Sequence, residues 1–194
     1  DTKRKERNVS MMWIDYKKVY DSVPHTWLTK ILTLYKIDKV TSNFITSLMP
    51  HWKSKMILPY NDGCVTTRDI RFKRGIFQGD SLSPLLFCIA LILIANILKR
   101  AKVGFKVGKK KINYLLYIDD LKVYAKDEIE MERCNAMIEE FSNDITREFG
   151  LSKSAVVHLR KGKIIDSNII SEIPLMTEED NYKYLGILQT DRIL

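Results

Sequence analysis

The stretch that most constrains the fold runs from Asn113 to Ala125. Two apolar arms, Tyr114-Leu115-Leu116-Tyr117-Ile118 and Leu121-Lys122-Val123-Tyr124-Ala125, meet there at Asp119 and Asp120. Arms rich in Tyr, Leu, Ile and Val favour strands, and adjacent aspartates favour the turn of a hairpin. Asp is a common turn residue, so the pair alone needs no further account. The neighbours change the balance. Buried hairpins usually turn through Asn-Gly or Asp-Gly, whose backbones accept positive φ, and this turn contains no glycine. Two like charges therefore sit beside apolar walls. A hard divalent cation such as Mg2+, held by one or two carboxylates and substrate phosphates, would relieve their repulsion.

The elements around this hairpin follow from periodicity. Met11-Met12-Trp13-Ile14 reads as a buried strand with Asp15 at its exit. Pro24 to Lys36 reads as a helix, and Thr41 or Ser42 caps a second that buries Phe44, Ile45, Leu48 and Met49 and ends at Pro50. Lys55 to Tyr60 and Cys64 to Arg71 flank Asn61-Asp62-Gly63, a hairpin signal. Ser83 and Pro84 open an apolar helix whose uncharged run, Leu85 to Leu98, is short for a bilayer. Val103 to Val107 and Ile112 to Tyr117 enclose a lysine-rich turn. Asp127 and Glu130 form a capping box for a helix buried along Ile129, Cys134, Ile138, Phe141, Ile145 and Phe149 and ended by Gly150. Ala155 to Leu159 and Tyr182 to Leu188 read as further strands.

With the Pro24 to Arg71 insertion and the lysine hairpin set aside, the order is strand 11–15, helix 84–100, hairpin 112–125, helix 127–149, strand 155–159. This is an α+β pattern, β-α-β-β-α-β, a split ferredoxin-like sheet with both helices on one face. Right-handed crossovers in such a sheet bring the first strand beside the hairpin, and Asp15 near Asp119 and Asp120. Three converging carboxylates need metal to offset their repulsion.

Charge points the same way. A net charge of +8 and a pI near 9.3 suit a polyanionic partner, nucleic acid before membrane. Seven Lys or Arg fall between Lys99 and Lys111 without an acid, and Lys153, Arg160, Lys161 and Lys163 form a second group. Cys64, Cys88 and Cys134 lack ligand spacing, which supports neither a disulfide framework nor a zinc site and suggests a reduced, intracellular chain. Length and mix fit one domain or most of one, without a secretion signal, and the Asp at residue 1 suggests a fragment. Around Gln78, Gly75 and Gly79 would let backbone pass close to a ligand, although on spacing alone a loop with a helix cap is the better-supported reading, because turns use glycine freely.

Asp15-Tyr16-Lys17-Lys18-Val19-Tyr20-Asp21-Ser22-Val23-Pro24, Gln78-Gly79-Asp80-Ser81-Leu82-Ser83-Pro84-Leu85-Leu86-Phe87 and Tyr117-Ile118-Asp119-Asp120 resemble, in order, the palm motifs of reverse transcriptases. Non-LTR (LINE-like) retrotransposon enzymes are the most similar. Phe149-Gly150-Leu151-Ser152-Lys153-Ser154 and Tyr182-Lys183-Tyr184-Leu185-Gly186-Ile187 resemble the two motifs that follow the catalytic hairpin in that family. The resemblance implies RNA-templated DNA synthesis with two Mg2+ ions, for which Mn2+ can substitute. Its substrates would be an RNA template, a DNA primer and deoxynucleoside triphosphates, and its setting the nucleus.

By the same resemblance Asp15, Asp119 and Asp120 are the catalytic, metal-binding carboxylates, with the Tyr16 carbonyl beside them. Tyr20 would lie under the sugar and exclude a 2′-hydroxyl. Arg74, Gln78 and Gly79 would line the incoming nucleotide, Lys153 would neutralise the leaving group, and Tyr117, Tyr184, Leu185 and Gly186 would grip the primer. The division implied is one reverse transcriptase domain over residues 1–194: palm core 9–23 and 74–160, a partial fingers insertion 24–73, and the primer grip and start of the thumb connection 161–194. Val19, Ser81 and Ile118 depart from the family pattern as packing changes. The rival reading is a catalytically inactive palm remnant that serves as a nucleic-acid or protein binding module. Oligomeric state has no signature in the sequence.

Overall fold

The strand Val9–Ile14 (β1) is buried along its whole length, as expected of an apolar run flanked by strands on both sides. Its neighbours are Asp120–Ala125 (β3), which forms a hairpin with Tyr114–Tyr117 (β2), and Ala155–Arg160 (β4), which carries the short edge strand Lys163–Ile164 (β5). The sheet order is β5-β4-β1-β3-β2, every pairing antiparallel. These elements belong to a computed structural model that describes residues 6–61, 63–145, 148–167 and 172–189. The chain divides into two units, residues 1–19 with 91–194, and residues 20–90.

In the first unit, the alternation of a strand sends Val9, Met11 and Trp13 into one apolar cluster with Ala155, Val157 and Leu159 of β4. Phe105, Met176 and Tyr184 complete that cluster, with Tyr124 and Tyr182 packed against it. The helix Glu128–Asp144 (α4) packs on β1 and β3. Each Met, Ile or Leu fully buried in such a core contributes roughly 1.5–3 kcal/mol. The helix Ser83–Arg100 (α3) gives this unit its second half, with Leu91, Ile94 and Leu98 buried. By length and composition alone α3 is long and apolar enough to cross a membrane, a test that buried core helices also pass, and its buried Leu91, Ile94 and Leu98 agree with the reading of its uncharged run as a buried helix.

Several local expectations are corrected. Helix α4 ends at Asp144, not near Gly150, and Ile129 is 65% exposed while Met131 takes its place in the core. The cap is half a capping box: Asp127 accepts from the Glu130 amide, but the Glu130 carboxylate accepts from Lys126 N and Gly104 N instead of the Asp127 amide. The lysine ribbon pairs Phe105–Val107 with Lys110–Ile112, so Ile112 and Tyr117 lie in different sheets. Tyr182 to Leu188 is a hairpin of Tyr182–Tyr184 and Ile187–Gln189, turning where Leu185 and Gly186 both take positive φ.

In the second unit, His25–Leu34 (α1) buries Leu28, Ile31 and Leu32. Lys39–Leu48 (α2) is capped by Asp38, whose carboxylate accepts from Thr41 N at 2.9 Å, and Phe44 on it is exposed rather than buried. Ile57–Tyr60 pairs with Gly63–Thr66 as the hairpin signal requires, and Asp62 of its turn lies outside the described residues.

Candidate active site

Asp15 leaves β1 at the edge where Asp120 enters β3, and the β2–β3 turn carries Asp119. All three carboxylates are partly buried. Burial raises the Asp15 pKa above the usual carboxylate range, Lys153 opposes this, and Asp119 adds to it. Asp120 is raised by burial and then by the charges of Asp119 and Asp15. Sharing of repulsion in this way means the three groups lie within electrostatic reach of one another. Among the described residues no salt bridge within 4.0 Å neutralises them, and no cluster of three His, Cys, Asp or Glu is drawn together tightly enough to enclose a metal ion. The donor set is hard oxygen without a paired cation, the chemistry that suits a hard divalent cation completed by further oxygen ligands.

The turn that presents Asp119 is strained. Ile118 has φ of 54°, a left-handed conformation that β-branched residues rarely adopt. The positive φ that Asn-Gly or Asp-Gly supplies in most hairpins is here taken by Ile118, in a turn without glycine.

Asp15 is fixed by residues that local spacing could not reveal. Its amide donates to Ser154 Oγ at 3.2 Å, and its carbonyl accepts from Gly150 N at 2.7 Å. Ser154 Oγ in turn donates to the Gly150 carbonyl. A Cβ at residue 150 would meet Asp15 Oδ2, so a larger residue there would have to push the Asp15 carboxylate aside, and with α4 already ended at Asp144 this glycine is not its stop. Tyr16 is buried, its hydroxyl 3.1 Å from Ser142 Oγ and its ring tilted against Phe149. Lys153 is exposed on a turn of 3-10 helix, Leu151–Lys153.

The Tyr182–Gln189 hairpin lies against the same sheet. Tyr184 is buried and its hydroxyl donates to the Asp120 carbonyl at 3.4 Å, while Leu185 and Gly186 stand exposed at the turn and Tyr117 is exposed on β2. Tyr182 donates to the Lys153 carbonyl at 2.7 Å, and burial, followed by the charges of Asp15 and Asp120, pushes its phenol up to about 12. Lys122, missed in the sequence, is buried beneath this hairpin, and burial pushes its ammonium down to about 8. A single lysine inside an apolar arm was the available signal.

Tyr20, Arg74, Gln78 and Gly79 belong to the second unit. Tyr20 stacks on Phe87 with ring centroids 4.8 Å apart, and its carbonyl accepts from Ile76 N at 2.9 Å. Arg74 and Gln78 line a cavity of about 490 Å³ walled by Trp52, Phe72 and Phe77. Gly79 has φ of 103°, open to space, and Asp80 after it caps α3 by accepting from Ser83 N at 2.7 Å.

An antiparallel α+β sheet that lifts three aspartates to one edge, in a basic chain, has the make-up of a polymerase palm. The reverse transcriptase (RNA-dependent DNA polymerase) family model matches residues 1–188, and the chain belongs to that family. Its relatives include the Pol polyprotein of the type-1 retrotransposable element R2 of Popillia japonica, 30% identical over 72% of this chain and 20% of that protein. The R2 polyprotein of Nasonia vitripennis is 26% identical over 97% of this chain and 19% of that protein, and the type-2 element R2DM polyprotein of Drosophila melanogaster is 25% identical over 90% and 17%. The chain thus spans about a fifth of the length of these non-LTR retrotransposon relatives. In fold it is similar to apo telomerase from Candida tropicalis truncated from its C-terminal domain, with a TM-score of 0.64 at 14% identity over 98% of this chain and 35% of that one.

Proposed function

We propose that the chain is the palm-bearing part of an enzyme that synthesises DNA on an RNA template by nucleotidyl transfer, using two divalent cations. The observation that carries this reading is the convergence of Asp15, Asp119 and Asp120 at one sheet edge, where the pairing of Ile14 with Leu121 sets Asp15 beside Asp120 and the adjoining turn carries Asp119. Strand order and the alternation of strand, helix, hairpin, helix and strand support a split β-α-β-β-α-β palm. Residues 24–73 are then the fingers-side insertion and 161–194 the primer grip and start of the thumb connection.

Asp15 and Asp119, with the Tyr16 carbonyl, would hold the cations, and Asp120 would assist at the primer side. Bound there, two such cations supply charge stabilisation to the attacking and leaving oxygens of an in-line displacement. The remaining work falls to the chain. Lys153 Nζ, whose charge already acts on Asp15, neutralises the departing pyrophosphate or gives it a proton. Arg74 and Gln78 orient the deoxynucleoside triphosphate, Gly79 lets backbone approach it, and the Tyr20 ring, held by Phe87, excludes a 2′-hydroxyl. Leu185 and Gly186, exposed at the hairpin turn, contact the primer with Tyr117, while Tyr184 anchors them from below. A nuclear setting follows from the family resemblance alone.

The test is Mn2+ titration of the chain and of Asp119→Asn, with primer extension in the same preparations. Loss of a carboxylate ligand should weaken cation binding at least tenfold and abolish extension. Equal affinity in both proteins would sink the cation assignment. Primer-template binding by an unaltered chain that takes up no Mn2+ at this site would instead favour the binding-module reading.

A further inference from the structure

Lys122 occupies a position that an apolar residue would fill more cheaply. Asp120, Lys122 and Tyr124 alternate onto one face of β3, and Trp13 lies directly across from Lys122 in register. The side chain is 4% exposed, and among the described residues no carboxylate lies within 4.0 Å of it. Instead its Nζ lies over three rings, 4.4 Å from the centroid of Trp13, 5.1 Å from Tyr124 and 5.9 Å from Tyr184. It also donates to Gln189 Oε1 at 2.7 Å. Trp13 stacks on Tyr182 at 4.9 Å, so both strands of the Tyr182–Gln189 hairpin meet this group. Apolar packing has no direction, whereas an ammonium enclosed by ring faces and one amide oxygen fixes position and register together.

We propose that Lys122 is a positioning residue that locks the Tyr182–Gln189 hairpin onto the sheet two residues from Asp120, and so sets where the primer end lies. The second half rests on the proposed primer-contacting role of the hairpin; the first half does not. Lys122→Met keeps length and apolar volume and removes the charge, and replacing a buried charge by an apolar group is often tolerated.

Amide hydrogen exchange of residues 182–189 is compared with that of β4 in the unaltered chain, Lys122→Met, Lys122→Arg and Gln189→Ala. Lys122→Met should speed exchange in the hairpin about tenfold or more and leave β4 unchanged, as loss of a charged hydrogen bond predicts. Lys122→Arg, which keeps the cation and donor, should restore protection. Unchanged hairpin exchange in Lys122→Met, or failure of arginine to rescue, overturns the proposal. If Lys122→Met does not fold, Gln189→Ala decides: exchange raised in the hairpin alone supports the lock, and unchanged exchange overturns it. Affinity for an RNA–DNA primer-template, measured on the same samples, separates the two halves. A loosened hairpin with undiminished affinity keeps the lock and overturns the primer-contact reading.

Discussion

At the scale of single residues, the site is held in states that cost stability. Ile118 carries a left-handed backbone that costs a β-branched residue on the order of 1–2 kcal/mol, and Asn tolerates it. Ile118→Asn should therefore raise the urea midpoint, by about 1 kcal/mol in unfolding free energy; an unchanged or lowered midpoint would remove strain from the account of this turn. Asp120 is destabilised by burial and by two neighbouring carboxylates, so Asp120→Asn should unfold later in the presence of a chelator. Each kcal/mol of relief corresponds to roughly 2–4 °C for a chain of this size. The same variant should lose the stabilisation that Mn2+ confers on the unaltered chain, and a thermal scan with and without the ion reads both. Gain without loss, or loss without gain, would separate repulsion from cation binding.

At the scale of elements, periodicity was enough to find β1, the aspartate hairpin and the helices, because each buries a face whose spacing is written locally. It was not enough to orient them fully. Phe44 fits a helical period with Leu48 yet faces outward on the short α2, whereas Ile129, five residues before Cys134, lies off the stripe of Met131, Cys134, Ile138 and Phe141 that α4 buries. Gly150 looks like a helix stop until Asp15, 135 positions earlier, is placed against it. The Lys122 enclosure draws on residues 13, 122, 124, 184 and 189, and no window of sequence contains them.

His158 on β4 shows what such cross-strand placement does to stability. It pairs with Ser10, its Nδ1 2.8 Å from Ser10 Oγ, and its Nε2 is buried without a hydrogen-bond partner among the described residues. Burial lowers its pKa, with Glu128 opposing. A proton is then taken up more readily by the unfolded chain, so stability from neutral His158 is full above about 6.5 and is lost as pH falls from there toward the folded pKa. The raised Asp15 and Asp120 act with the opposite sign, since their protonation favours the folded chain as pH falls. Urea midpoints should fall between pH 7.5 and pH 5.5, and His158→Gln should flatten that dependence; parallel declines would assign the loss to other groups.

At the scale of the whole molecule, the excess of basic residues has a place in the fold. The ribbon of Phe105–Val107 and Lys110–Ile112 exposes Lys106, Lys109, Lys110 and Lys111 in seven positions without an acid among them, since residues 105–111 contain none. The second basic group is weaker than its composition suggests, because Arg160 is paired with Glu128. Lys111 is also engaged, donating to the Lys102 carbonyl. Nucleic-acid attraction should therefore fall most heavily on Lys106, Lys109 and Lys110. Phosphate contacts release counterions, and each one lost should reduce the slope of log K against log salt by about 0.9 on a duplex and about 0.7 on a single strand. Replacing the three lysines with Gln should flatten the slope by roughly 2–3 if all three contact phosphates, weakening binding about equally for unrelated sequences. Asp119→Asn removes no positive charge and should leave the slope unchanged. Measuring both proteins on one RNA–DNA hybrid between low and physiological salt decides the matter: an unchanged slope in the triple variant would place the phosphate contacts elsewhere on the chain, and a slope that flattens for one sequence only would mean that the ribbon reads bases rather than backbone.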